Sequence, residues 1–216
     1  FVVQAQGLVL QENQFGANAA STSPVIEQPS VGGGVYVRAS DGITITNNQF
    51  KRNLGALYTG GVGGAAYLYQ LTGAAIQDNQ FTANWGGTYQ NALVLGGAIG
   101  LGDVRKLDLS GNAFTENIAG LDLVSRGSAL GGAIFAATVS DVRIGANTFL
   151  SNVVSLSLVG YGGAIAVDTS KTGPSTNIMV EQNNFVDNSG TVAEGDCHGG
   201  AIRLTAIGAK VDGNTF

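Results

Sequence analysis

Strong helix formers and charge are what this sequence has least of. Its 216 residues include four Lys, five Glu and one Met, and the charged share is 12%, about half of what a globular domain usually carries. Val, Ile, Thr and Asn are plentiful instead, so the composition predicts an all-β protein. The single cysteine, Cys197, excludes an internal disulfide framework. No apolar run approaches the roughly 18 residues that a membrane-crossing helix needs. The net charge is −5 without any Lys/Arg cluster, which argues against nucleic acid or an anionic membrane surface as partner. None of the 17 Asn stands in an Asn-x-Ser/Thr sequon, so conventional N-glycosylation of this segment is excluded. The 34 Gly follow no three-residue period, which excludes a collagen-like chain.

What is abundant is also periodic. A small-residue pair followed by two further small or apolar residues recurs six times, beginning at Gly32, Gly63, Gly96, Gly131, Gly162 and Gly199, and four copies read Gly-Gly-Ala-Ile. Between these lies Asn-x-Phe-x-x-Asn, at Asn13-Phe15-Asn18, Asn48-Phe50-Asn53, Asn79-Phe81-Asn84, Asn112-Phe114-Asn117, Asn147-Phe149-Asn152 and Asn183-Phe185-Asn188. Asn214-Phe216 opens a seventh copy. Successive Phe residues lie 31 to 36 positions apart. The stretch from the first Gly to the Phe is 18 residues in four copies and 23 in the fifth, where Lys171 to Thr176 reads as an inserted turn. The stretch from Phe to the next Gly pair varies from 13 to 17, as expected of loops that project from a solenoid.

The constant half reads as strand. Apolar residues alternate after each Gly pair, as in Val35/Val37 and Ile99/Leu101, and again before each Phe, as in Ile43/Ile45 and Leu107/Leu109. A period of two buries one face. A unit of two clear strands and a third cannot bury that face alone, so units must stack. If each repeat is one coil of a parallel β-helix, equivalent residues lie roughly 4.8 Å apart along the axis and form ladders. The Phe column then stacks inside. The two Asn columns run along corners, each amide bonding to the next and each Asn supplying the left-handed backbone of a sharp turn. The Gly pair allows close backbone approach at another corner. The expected fold is therefore all-β: a right-handed parallel β-helix of about six and a half coils of roughly 33 residues. It forms a single domain over residues 1–216, read as a piece of a longer solenoid because Phe1 and Phe216 both fall within a repeat.

The paired GGAI and FxxN motifs, repeated over almost the entire chain, resemble the passenger repeats of the chlamydial polymorphic outer-membrane proteins, which are autotransporter adhesins. That resemblance implies export, surface display and adhesion. Polygalacturonases, similar in fold, carry Asn-x-Asp, Asp-Asp, Gly-His-Gly and Arg-x-Lys motifs, none of which occurs here. Pectate lyases, also similar, hold calcium with clustered Asp, whereas Asp41, Asp78, Asp103, Asp108, Asp141 and Asp168 are scattered, Asp103 and Asp108 being the nearest to a pair.

The outward positions of the Gly-pair strand give the column Phe1, Tyr36, Tyr67, Gly100, Phe135, Ala166 and Arg203, with Arg38 and Tyr69 one outward step further. Tyr36, Tyr67, Tyr69 and Phe135 are the candidate contacts for a ligand or an assembly partner, and the similarity to carbohydrate-processing β-helices, in which sugar lies along an outward sheet face, implies carbohydrate as one such ligand. Against this stands the reading that these rings form a stabilising ladder, or lie under loops that carry Tyr58, Trp85, Tyr89 and Tyr161. Asp196, Cys197 and His198 are consecutive, and neighbours on a strand point to opposite sides, so no metal or nucleophilic site is expected of them. No catalytic residue, cofactor or metal is expected. The expected function is a non-enzymatic extracellular or cell-surface module, a rigid stalk or fibre whose loops, such as 19–31 and 118–130, serve adhesion or self-assembly. Expected partners are further coils or copies at both ends and a host-cell or surface ligand. A membrane would be reached only through an anchor that this chain lacks. The alternative is a polysaccharide lyase or hydrolase whose catalytic residues lie outside this segment.

Overall fold

The computed structural model describes residues 1–22, 30–58, 60–87, 93–120, 128–156, 159–169, 173–191 and 196–216. Most of loops 19–31 and 118–130, the start of the inserted turn at Lys171 and Thr172, and Tyr89 lie outside them.

Every strand pair described is parallel to its equivalent in the neighbouring coil, and the coil has four sheets where two or three strands per repeat were expected. A long sheet runs from the Gly pair, as in Val35–Asp41, Ala66–Gln77 and Ile99–Ser110. The Phe sheet follows, as in Gln49–Lys51 and Gln80–Thr82. A third sheet starts just after the second Asn, as in Leu54–Ala56 and Trp85–Gly87. A fourth, of two- and three-residue strands such as Gly61–Val62 and Val94–Leu95, ends immediately before the Gly pair. The register pairs like with like: Val37 with Leu68, Leu68 with Leu101, Phe81 with Phe114. Seven strands succeed one another along the first limb of the long sheet and six along each of the others.

The interior is filled by these ladders. Ile45, Ile76, Leu109, Ile144 and Val180 form one apolar column, all of it buried. From Phe15 to Phe216 the rings stack with centroids 4.7 to 5.1 Å apart and planes within 8°. That spacing is the inter-strand distance itself, so the ring stack and the backbone ladder reinforce one another.

Two asparagine ladders close the corners on either side of the Phe strand. In the first, Nδ2 of Asn48, Asn79, Asn112 and Asn147 each donates to Oδ1 of the next coil's Asn at 3.0 Å. The second ladder repeats this through Asn53, Asn84, Asn117, Asn152 and Asn188 at 2.9 to 3.0 Å. Each Oδ1 also accepts from the backbone N–H of the preceding coil's Asn, as Oδ1 of Asn117 does from Asn84. The remaining Nδ2 proton goes to a carbonyl in the coil behind, as from Asn117 to Phe81 at 2.9 Å. The amide's two donors and its acceptor oxygen are thus all engaged. Among the described residues no buried side-chain nitrogen or oxygen lacks a partner.

The left-handed residue at these corners is not the Asn itself, as the sequence suggested, but the residue before it. Asn47, Asp78 and Ala146 precede the first-ladder Asn with φ of 54°, 56° and 54°, and Arg52, Ala83 and Glu116 precede the second with 56°, 51° and 55°. The Asn side chain must turn inward to bond its ladder, and the sharp reversal is therefore placed one residue earlier. At the Gly pair the expectation of close approach holds. The first Gly is left-handed, with φ of 67° at Gly96, and a Cβ on the second, Gly97, would overlap the carbonyl oxygen of Gly132. The fifth-coil insertion is shorter than the sequence suggested, because Ser175 and Thr176 belong to the strand Ser175–Glu181, where Thr176 pairs with Ser140.

Replacing Asn117 by Ala strands the Phe81 carbonyl and the Asn84 donors in a dry interior, where each unmet group costs about 1–3 kcal/mol. Urea unfolding should show a loss of about 3–5 kcal/mol for Asn117→Ala. For Gln80→Ala, on the exposed face of the same sheet, the change should stay within about 0.5 kcal/mol.

Candidate functional site

With the interior filled, chemistry is left to the outer faces, and the outer face of the long sheet carries a groove. The register places Tyr67 beside Tyr36 on one side and beside Gly100 on the other, with Gly100 beside Phe135. Tyr69 lies between Arg38 and Gly102. The outward column inferred from the sequence is therefore real. Tyr36 and Tyr67 stack at 5.5 Å, Tyr67 and Tyr69 lie nearly parallel at 5.9 Å, and the Arg38 guanidinium sits 5.7 Å from the Tyr69 centroid.

Three of the four candidate residues, Tyr67, Tyr69 and Phe135, line one groove of about 810 Å³. Tyr36 is not among its lining residues; it backs Tyr67 from the preceding coil. The groove's apolar wall comes from Val62, Leu93, Leu95 and Leu130, and its polar rim includes Gln70, Asp103, Arg105 and Asp168. Its volume falls within the range of about 300–1,000 Å³ that small-molecule sites occupy.

Phe135 behaves differently from the exposed contact that the sequence suggested. It is only 8% exposed, because Leu130, Ala166, Leu95 and Tyr161 close over it in a small second core outside the coil. Sequence reasoning missed the source of this cover. The residue immediately before each Gly pair is apolar in five successive coils, Val31, Val62, Leu95, Leu130 and Tyr161, and each ends a strand of the fourth sheet. Tyr161 therefore does cover the outer face, whereas Trp85 stands in the third sheet, paired with Leu54 and Ile118. Tyr58 is exposed.

The acidic residues do not converge. Asp103 pairs with Arg105 at 3.5 Å, Asp168 with Arg203 at 3.1 Å, and Asp108 with Arg143 at 3.0 Å. Burial pushes the Asp108 carboxyl up, but hydrogen bonds from Arg143, Gln77 and Ser110 more than offset it and hold the group below its ordinary value. Arg143 also bonds Glu181 at 2.7 Å, so these three charges make a closed outward ladder on the second limb of the long sheet. The His198 ring stacks on Tyr161 at 5.2 Å, while the exposed Cys197 lies against Gly190. No group of three metal-ligating side chains occurs among the described residues.

Tyr67 has the most perturbed acid–base chemistry in the groove. Burial first, then the neighbouring Tyr36 and Tyr69 phenols, push its hydroxyl up to about 12 despite the opposing Arg38 charge. Its folded value lies above the unfolded value of 10.0. Between these values the unfolded chain has released the proton and the folded chain has not, so the stability that Tyr67 contributes is present below pH 10 and lost as the pH rises to about 12. Alkaline titration of tyrosinate absorbance should show one late phenol that is missing in Tyr67→Phe. The stability difference between the two proteins should narrow in favour of the variant over that window, and a parallel pH dependence would contradict the assignment.

A family model described as the right-handed β-helix region matches residues 1–216. No curated protein matches the chain. With its parallel ladders, its coils of about 33 residues and a family match over its whole length, the chain belongs to the right-handed β-helix family.

Proposed function

We propose that this chain is a non-enzymatic module of an extracellular or cell-surface protein, a rigid rod that holds a ligand or partner against its side. The observation that carries this reading is the division of labour between the two faces of one sheet. The inward residues Leu68 and Leu101 are fully used by the core. The outward Tyr67 and Tyr69 line an open groove whose walls come from three other coils. A scaffold held by buried amide ladders at the two corners that flank the Phe strand positions those rings with little ordering penalty on binding, which is the advantage of preorganisation. The motif resemblance to chlamydial surface passengers supports adhesion as the purpose of such a rod. The ion-paired state of Asp103 and Asp168 supports a binding role over acid–base catalysis, since each carboxylate already faces an arginine.

Beads coated with the chain should adhere to cultured epithelial cells, and beads carrying Tyr69→Ala should adhere severalfold less. The same protein should release no reducing ends from pectate, xylan or cellulose. Adhesion that is indifferent to Tyr69, or measurable polysaccharide cleavage, would overturn the reading.

A further inference from the structure

The third sheet carries an outward apolar column that neither the core nor the groove uses. Asn53, Asn84 and Asn117 point inward to their ladder, and Gly86 and Ala119, two residues beyond it, face the small core around Val94. Strand alternation turns the residues between them outward. These are Leu54, Trp85, Ile118 and Val153, each half-buried. They stand in register in four successive coils.

Opposite charges flank the column. Arg52, Ala83 and Glu116 are left-handed corner residues, and they follow in line from Lys51, Thr82 and Thr115, which the register pairs. Arg52 and Glu116 are both exposed, two coils and roughly 10 Å apart along the axis. Neither makes an ion pair among the described residues, whereas Arg105, Arg143, Arg203 and Lys210 each do. A positive charge one coil before Trp85 and a negative charge one coil after it make this face complementary to itself when turned end for end. A two-fold axis through Trp85, lying along the strand direction, sets a second rod antiparallel against it. Leu54 then meets Ile118 of the second copy, Trp85 meets its own equivalent, and Arg52 meets Glu116, each unlike contact being made twice. Both copies have the same coil spacing, so the columns stay in step along the rods. An aromatic anchor at the centre with charges at its edge is also the ordinary anatomy of a protein interface.

We propose that the outer face of the third sheet is a self-association surface, on which two copies of this chain pair side by side and antiparallel about Trp85, with Leu54 packed on Ile118 and Arg52 facing Glu116. The contact is lateral, lies on a different sheet from the tyrosine groove and does not depend on the ligand-carrying reading.

Sedimentation equilibrium of the whole chain over a range of concentrations tests it. A reversible monomer–dimer equilibrium should appear, weaker at high salt, where exposed charges are screened. Arg52→Glu and Glu116→Arg should each weaken dimerisation about tenfold or more, because each turns two attractive contacts into repulsive ones. Their unfolding midpoints should be unchanged. An equal mixture of these two variants, and the double variant Arg52→Glu/Glu116→Arg, should both regain the dimer, since opposite charges face one another again. Trp85→Ala should leave no dimer, and Tyr69→Ala should leave the dimer as it is. A chain that stays monomeric at every concentration overturns the proposal, as does a dimer indifferent to Arg52→Glu, or a mixture of the two single variants that stays monomeric. A dimer lost with Tyr69→Ala would put the contact at the groove and overturn the proposal as well.

Discussion

The inner coils of this protein must turn sharp corners in a region that water does not reach, and the corners on either side of the Phe strand leave backbone amides and carbonyls without strand partners. The asparagine ladders meet that demand. An amide side chain is the one short group that can accept from the coil before it, donate to the coil after it and still reach a backbone carbonyl. Nine ladder asparagines, among them Asn48, Asn84, Asn117 and Asn152, are essentially inaccessible to solvent. Such burial is tolerable only while every bond is made, because a half-satisfied polar network in a low-dielectric interior is worse than an apolar one. The repetition follows from this: an Asn in one coil is satisfied only if the next coil also presents one.

The other regularities adjust to the same spacing. Phe rings stack at the inter-strand distance, the second Gly of each pair lets a carbonyl pass where a Cβ would collide, and left-handed residues reverse the chain just before each Asn. Non-glycine residues such as Ala83 and Glu116 accept a conformation that costs roughly 1–2 kcal/mol each. The strain is outweighed because the ladder bonds hold the backbone on both sides. A scaffold constrained this fully leaves its outer face free to vary, and the column Tyr67, Gly100, Phe135, Ala166, Arg203 does vary, from large to absent to charged.

The repeating elements were legible in the sequence because the ladders force identity. Phe and Asn recur in every copy, and the alternation of Val35/Val37 or Ile99/Leu101 announces which face is inside. The left-handed position was misplaced for the opposite reason: Asn47, Asp78, Gly111, Ala146 and Gln182 share that conformation but no side-chain chemistry. The fourth sheet escaped notice because its strands are two or three residues long, too short for alternation to register. Its apolar signal, in Val62, Leu95, Leu130 and Tyr161, was visible one residue before each Gly pair. For the groove, the sequence pointed to Tyr67, Tyr69 and Phe135. The covering of Phe135 by a second small core, and the ion pairing of Asp103 and Asp168, depend on which loops and coils fold back over the sheet, and no local pattern encodes that.

Hydrogen exchange of the asparagine side-chain amides tests the dependence on the ladders most directly, in protein labelled with nitrogen-15 at Asn alone. The Nδ2 protons of Asn53, Asn84, Asn117 and Asn152 should exchange only through global unfolding, with an opening free energy equal to the stability measured by urea. Those of the exposed Asn177 should exchange far faster. Ladder amides that exchange as readily as Asn177 would show that the corners open independently of the core, and would contradict the account.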